Sequence, residues 1–344
     1  MKFIRPFLLI VSAVALTAMV TLQVPAAQDW LMKTLGSRAI ANDFGASEHL
    51  RVFVCGSASP LGNTPDRAQA CIAVVTPDHF FVFDVGAGSA ARLISAGLPH
   101  DRLDGVFLTH FHSDHIADLP AIKLNSWVVG RNGPLKVFGP AGVQQVVDGF
   151  NLAYGQDNTY RTEHHGRDFM PPVAGTLAAV TNESDTPMSF GDLTITQFEV
   201  THDPIEPAVG YRVDYKGRSV VISGDSIVSE NLFKHAAGAD LLFHDALSPR
   251  LLTNMIDVAK DQGRDRFAKI MSDVQDYHAD VHKLEVASQE AVVGQLVLYH
   301  LVPTPINGLF TRIWQTDLTS NTVLANDKMV FVLPSDSEEI VINE

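Results

Sequence analysis

Cysteine is nearly missing from this chain: two residues in 344, against fourteen histidines. That ratio excludes a Cys-rich zinc finger and turns any metal chemistry toward imidazole and carboxylate ligands. Positive charge is also scarce. Lys and Arg number 25 against 39 Asp and Glu, a formal net charge of −14, and no basic run or basic-aromatic stripe offsets it. Such a surface repels phosphate backbones and argues against nucleic acid as a partner. Repeats and low-complexity tracts are absent, and only 19% of residues are charged. Disorder, collagen and coiled coil are therefore ruled out. What the chain does have is a 46% share of hydrophobic residues, enough for a large core. Length alone favours about two domains.

Lys2 and Arg5 precede an uncharged stretch, Pro6 to Gln28, whose apolar part runs from Phe7 to Val20. This is the pattern of a secretory signal, with Val24 and Ala26 as small residues before a cleavage that would define a signal peptide over 1–26. The competing reading is an uncleaved anchor, since the stretch is just long enough to cross about 30 Å of hydrocarbon. In either case the globular part is expected to be periplasmic or secreted, touching a membrane only through an uncleaved N-terminal segment. Cys55 and Cys71 stand at the two ends of a Gly, Pro and Ser-containing loop. In an oxidising compartment a disulfide there competes with two buried free thiols.

From Arg51 onward, short apolar runs alternate with helical patterns. Strands are expected at 51–54, 80–84, 105–109, 135–138, 193–200, 209–215, 219–223, 241–244 and 295–300. Helices are expected at 89–96, 119–129, 143–154, 230–236, 248–262 and 281–293. Lys216-Gly217 reads as a hairpin turn. Residues 155–176, rich in His, Arg, Pro and Gly, read as a loop insertion. The mixture predicts an α/β fold with mixed sheet.

The run FLTHFHSDH, Phe107 to His115, places His110, His112, Asp114 and His115 within six positions after an apolar strand. In an extended segment residues two apart face one side, so His110 and His112 can grip one metal. A bend into helix carries Asp114 and His115 to a neighbouring point, where they can grip a second. Further candidates follow other strands: His202 after ITQFEV, Asp225 after VVISG, His300 after QLVLY. Together they complete two ligand sets, His110, His112 and His202 with Asp225, and Asp114, His115 and His300 with Asp225, the shared carboxylate having two oxygens. Two Zn²⁺ or similar divalent ions suit such ligands. Because His110 and His300 must meet, nearly two hundred residues belong to one body, and the two-domain expectation falls. A single domain over 45–334 replaces it.

THFHSDH, SGD at Ser223 to Asp225 and the late strand-terminal His resemble the metallo-β-lactamase superfamily. Within it the likeness is to the ribonuclease Z and type III arylsulfatase branch. FDVGAG, Phe83 to Gly88, is similar to its first motif, whose Asp, here Asp84, braces the metal loop. CGSASPLGNTPDRAQAC resembles the branch's opening strand and loop, and FHDA, Phe243 to Ala246, its His-Glu-Ala-like motif. In YHADVHKLEVA, His278 falls where the branch places a His near the scissile group, with His282 as second choice. The resemblance implies an αβ/βα four-layer sandwich and a metal-dependent hydrolase of phosphodiesters or aryl sulfates. No Cys follows SG, so the zinc-β-lactamase ligand pattern is not met. The insertion lacks a Gly-rich basic arm, which, with the acidic charge, argues against tRNA.

Two cations about 3.5 to 4 Å apart would bind one bridging hydroxide that attacks the ester centre. Asp114, besides its place in the second ligand set, and His278 are the candidate catalytic residues, His278 giving a hydrogen bond or proton to the substrate. Asp245 or Asp203 is a candidate to orient an imidazole, and His164 and His165 to line the pocket mouth. The expected partner is a small-molecule ester, with a homodimer as an open possibility. Lactone or thioester hydrolysis on the same centre, and a non-catalytic metal-binding protein, are the alternatives.

Overall fold

The computed structural model describes residues 23–40, 44, 48–60, 64, 66–319 and 322–343. Most of the expected signal peptide therefore lies outside the described residues. Packing divides the chain into Met1–Gly45 and Ala46–Glu344. In the first unit a helix, α1 (Pro25–Ile40), runs across the expected cleavage point after Ala26. Among the described residues no helix is long and apolar enough to cross a membrane.

In the second unit the chain builds one sheet, then a second, then returns to the first. The opening strands are β1 (Leu50–Gly56), β2 (Cys71–Val75), β3 (Phe80–Phe83), β4 (Gly105–Phe107), β5 (Leu135–Gly139) and β6 (Leu177–Thr181). The second sheet takes β7 (Pro187–Phe190), β8 (Leu193–Glu199), β9 (Val209–Tyr215), β10 (Arg218–Ile222), β11 (Leu241–Leu247), β12 (Gln295–Val302) and β13 (Thr322–Leu324). Finally β14 (Val330–Leu333) and β15 (Val341–Asn343) join β1, giving the orders β15-β14-β1-β2-β3-β4-β5-β6 and β13-β12-β11-β10-β9-β8-β7. Each sheet is antiparallel on one side and parallel on the other, through β3 to β6 and β10 to β13.

The helices are α2 (Ser89–Ser95), α3 (Ser113–Ile116), α4 (Leu119–Val128), α5 (Val143–His165), α6 (Glu230–Ala236), α7 (Pro249–Asp261), α8 (Asp265–Asp273), α9 (Val281–Glu290) and α10 (Gly308–Gln315). The core lies between the sheets, where Val52, Ile72, Phe83 and Phe107 meet Ile195, Tyr211, Ile222 and Phe243. Alternate residues of β10, β11 and β12 face outward and receive α6, α7, α9 and α10 through Leu232, Leu251, Leu284 and Trp314. This is the expected four-layer sandwich, and parallel strands covered on both faces explain the continuous apolar runs.

Three readings need correction. Residues 155–165 are not a loop: α5 continues to His165 and stops at Gly166, whose positive φ of 88° suits a residue without a Cβ. Its polar residues are bonded rather than free, Lys123 Nζ donating to Asn158 Oδ1 at 2.8 Å and Asn158 Nδ2 to Gly175 O at 2.6 Å. Gly155 is tolerated inside the helix at modest cost, and only the remainder, with a turn of 3₁₀ helix at Pro172–Gly175, is irregular. Second, α8, α10 and the strands β2, β6, β7 and β13 to β15 are elements the periodicity did not single out, whereas the expected bend into helix at Asp114 and His115 is α3. Third, β12 does not end at His300.

Candidate metal centre

The centre stands at the carboxyl ends of the parallel strands, where side chains from both sheets converge. Its base is Asp84, buried immediately after β3 in the left-handed region (φ 56°). One carboxylate oxygen accepts from Thr109 N at 2.8 Å; the other accepts from Thr109 Oγ1 and His115 Nδ1, both at 2.8 Å. Asp84 thus fixes the start and finish of the FLTHFHSDH segment. Gly86 must be glycine here, since a Cβ would stand 2.1 Å from Asp114 O. After β4 the chain bends at Thr109, is extended at His112 (φ −63°, ψ 150°), then coils into the single turn α3, which carries Asp114 and His115. That change of periodicity separates the two pairs of ligand-type side chains.

The other ligand-type residues arrive from the second sheet. His202 follows β8, and Asp225 follows β10 through Gly224, where the φ of 64° and the 2.7 Å at which a Cβ would meet Thr109 leave no room for a side chain. His300 lies inside β12. Asp245 pairs with Tyr299 and Ala246 with Leu301, so His300 is the extra residue of a β-bulge, with φ 44°. The bulge turns His300 out of the ladder toward the centre.

The residues form two groups, His110, His112, His202 and Asp225, and Asp114, His115, Asp225 and His300, with the ligand atoms of each within 4.8 Å of one another. Asp225 Oδ2 is common to both. It lies 3.8 Å from His110 Nε2, 3.3 Å from His115 Nε2, 3.9 Å from His202 Nε2 and 3.4 Å from His300 Nε2. All but His112 are buried.

Hydrogen bonds on the far side of each ring decide which nitrogen is available. His202 Nδ1 donates to Tyr277 O at 3.0 Å and His115 Nδ1 donates to Asp84, so in the neutral rings both Nε2 atoms carry lone pairs. Thr109 spends its hydroxyl proton on Asp84 and accepts from His110 Nδ1 at 3.1 Å, which leaves His110 Nε2 in the same state. That atom is 3.0 Å from His112 Nδ1. Among the described residues, buried His115 Nε2, His202 Nε2 and Asp225 Oδ1 have no hydrogen-bond partner. Buried acceptors that point together without donors are costly unless a cation satisfies them, so the donor set fits divalent ions of the borderline kind.

Electrostatics divide the two groups. Burial and the neighbouring His115 hold the His110 imidazole well below its ordinary pKa, and burial lowers His112 and His202 as well. Burial opposes the charged form of His115 too, but Asp225, Asp84 and Asp114 outweigh it and raise that pKa well above the usual value. His300 is raised by Asp225 and Asp114 against the same penalty. Burial by itself would raise the Asp225 carboxyl, yet His300 and His115 keep it well below the normal range.

Beside the centre, the His278 ring stacks on His300 at 5.2 Å between centroids and lies 5.6 Å from His202. Its Nδ1 donates to Asp245 Oδ2 at 2.8 Å. Asp245 is fully buried, which works against its charge, but bonds from His244 and His278 bring its pKa down to about 2. Of the two Asp considered as orienting partners, Asp245 touches an imidazole at the centre and Asp203 is exposed on the following loop. His282 is exposed in the first turn of α9. His164 and His165 end α5, where they border a surface hollow made by that helix alone, with Tyr160, Arg161 and Glu163. They are not brought to the centre. Sequence reasoning passed over Thr109, which relays between Asp84 and His110, and Tyr277, whose carbonyl fixes His202. Thr109 had a signal, its place inside the histidine motif; Tyr277 had only its adjacency to His278.

The two sheets and the paired His/Asp groups define a metal-dependent hydrolase of the metallo-β-lactamase kind. The sequence matches the beta-lactamase superfamily domain over residues 81–301, and the chain belongs to the metallo-β-lactamase superfamily. It is similar to ribonuclease Z of Mycobacterium marinum, 32% identical over 262 residues that cover 75% of this chain and 88% of that protein. Ribonuclease Z of Mycobacterium avium is 31% identical over 75% of this chain and 88% of that protein. Two solved structures share the fold. YhfI from Bacillus subtilis, a metallo-beta-lactamase fold protein, has a TM-score of 0.60 and 21% identity over 83% of this chain and all of that one. Human tRNase Z, short form, has a TM-score of 0.57 and 19% identity over 83% of this chain and 99% of its own.

Proposed function

We propose that the protein hydrolyses a phosphodiester, in a small molecule rather than in RNA, at a centre that takes two zinc ions. The position of Asp225 Oδ2 between four imidazole nitrogens carries this reading, since a single carboxylate oxygen shared by two ligand groups is what a paired centre requires. Ions held there would activate water as nucleophile and offset charge on the non-bridging oxygens. His110, His112 and His202 offer neutral nitrogens, while Asp114, His115 and His300 supply the second group. Asp225 and Asp114 balance much of the added positive charge.

His278 is the residue for the leaving oxygen. Asp245 occupies its Nδ1 and orients the ring, so Nε2 is the nitrogen left to exchange a hydrogen bond or proton with the substrate. The net charge of −14 supports a small substrate over a polyanion. Relatives that are ribonucleases Z support the phosphodiester over the sulfate ester. The joined Cys55 and Cys71, with the amino-terminal pattern of the sequence, support an exported protein. The test is hydrolysis by zinc-loaded full-length protein of bis-p-nitrophenyl phosphate, beside p-nitrophenyl sulfate and a homoserine lactone. Turnover of the phosphodiester at least tenfold above the other two is expected; preference for the lactone would replace this reading.

A further inference from the structure

On the outer side of the second sheet lies a feature that the hydrolytic chemistry does not use. A cavity of about 560 Å³ opens between α7, α8, α10 and the segment that follows β12. Its walls are apolar, with Met255 and Val258 from α7, Phe267 from α8, Ile306 from the connecting segment, and Phe310 and Trp314 from α10. The volume is in the ordinary range for a small-molecule site. Apolar surface continues past the rim, where Val258 is 55% and Leu309 65% exposed.

The charge around this cavity runs against the rest of the chain. In a protein of net charge −14, no carboxylate among the described residues lines it, and its charged lining groups there are two guanidiniums, Arg250 and Arg264. Arg250 is engaged, 2.9 Å from Asp317 and donating to Ile313 O. Arg264 is exposed and its side chain has no protein partner among the described residues; the lining amides of Asn254 and Gln262 are in the same position. An apolar hollow with one free cation and two free amides at its mouth is complementary to a hydrocarbon chain that ends in an anion. A second copy of this protein would need a broad self-complementary face instead.

We propose that this cavity binds the chain of a medium- or long-chain fatty carboxylate, with the carboxylate at Arg264. The test is calorimetric titration of full-length, zinc-loaded protein with sodium decanoate below its micelle concentration, and with 1-decanol. Saturable binding of one decanoate per chain is expected. Arg264→Gln should weaken decanoate about threefold, the scale of an exposed charge pair, and leave decanol unchanged. Val258→Trp and Ile306→Trp, both at exposed positions that a large ring can fill, should each weaken both ligands more than tenfold while circular dichroism and melting stay as in the parent. Because a carboxylate can also reach the metal centre, the titration is repeated on His110→Ala, which should bind decanoate as the parent does. Decanoate binding lost in His110→Ala but kept in the two Trp variants would overturn the proposal, and so would no saturation with decanoate. A dimer that Ile306→Glu dissociates, in protein that does not take decanoate, would assign the face to self-association instead.

Discussion

In the proposed hydrolysis, His278 would separate holding a metal from using it. Its ring lies against His300 and His202, yet its Nδ1 bonds Asp245 and it belongs to neither His/Asp group. His278→Ala should therefore keep the metal content of the parent while kcat for the phosphodiester falls by about 10²- to 10⁴-fold, the usual contribution of a positioned acid. Asp245→Asn should also keep the metals and lower kcat by a smaller factor, about 10-fold or more, because the ring loses its orienting acceptor. Loss of metal in either variant would move that residue into the structural support of the centre. Protonation distinguishes the two ligand groups at the same scale. Protons compete with a metal for an imidazole as pH falls through that imidazole's own pKa. For His115 and His300 that pKa is raised, so competition begins above the ordinary value of 6.5; for His110, His112 and His202 it is lowered and begins below it. Acidification from pH 8 should release the ion at Asp114, His115 and His300 first. In equilibrium dialysis, His110→Ala should lose its remaining ion at a higher pH than His300→Ala does.

At the scale of the element, short irregular pieces position the centre. α3 is a single turn, and the β12 bulge is one extra residue, but together they decide where Asp114, His115 and His300 face. Neither has a periodic signature, which is why the histidine motif was legible and the bulge was not. Gly224 makes the argument testable. Its positive φ and the 2.7 Å at which an added Cβ would meet Thr109 mean that Gly224→Ala should destabilise the protein by about 1–3 kcal/mol and displace Asp225. Urea unfolding together with metal analysis would show both effects, and unchanged metal content would mean that the loop absorbs the strain without moving Asp225. The long helix α5 shows the opposite failure. Its polar half has no apolar stripe because Asn158, Thr162 and Lys123 make buried hydrogen bonds there, so a helix was mistaken for a loop.

For the molecule as a whole, the Cys55–Cys71 bridge closes a loop with a sequence separation of 16 residues, its Cα atoms 4.9 Å apart. In the chain-entropy account it should contribute about 3 kcal/mol. Cys55→Ala/Cys71→Ala should lower the free energy of unfolding by roughly that amount, measured with metal loading held equal, since bound ions stabilise the folded state on their own. The expected four-layer fold and the grouping of seven ligand-type side chains could be read from the sequence because they rest on local patterns. Apolar runs mark strands buried on both faces, and ligand residues recur where such runs stop. What the sequence could not decide is everything set by contact across great separations. Tyr277 fixes the tautomer of His202, Asp84 supports His115, and Asp225 sits between imidazoles from both sheets. Which nitrogen faces inward, which carboxylate is shared and which histidine stands outside the ligand groups all depend on partners brought together only when the two sheets pack.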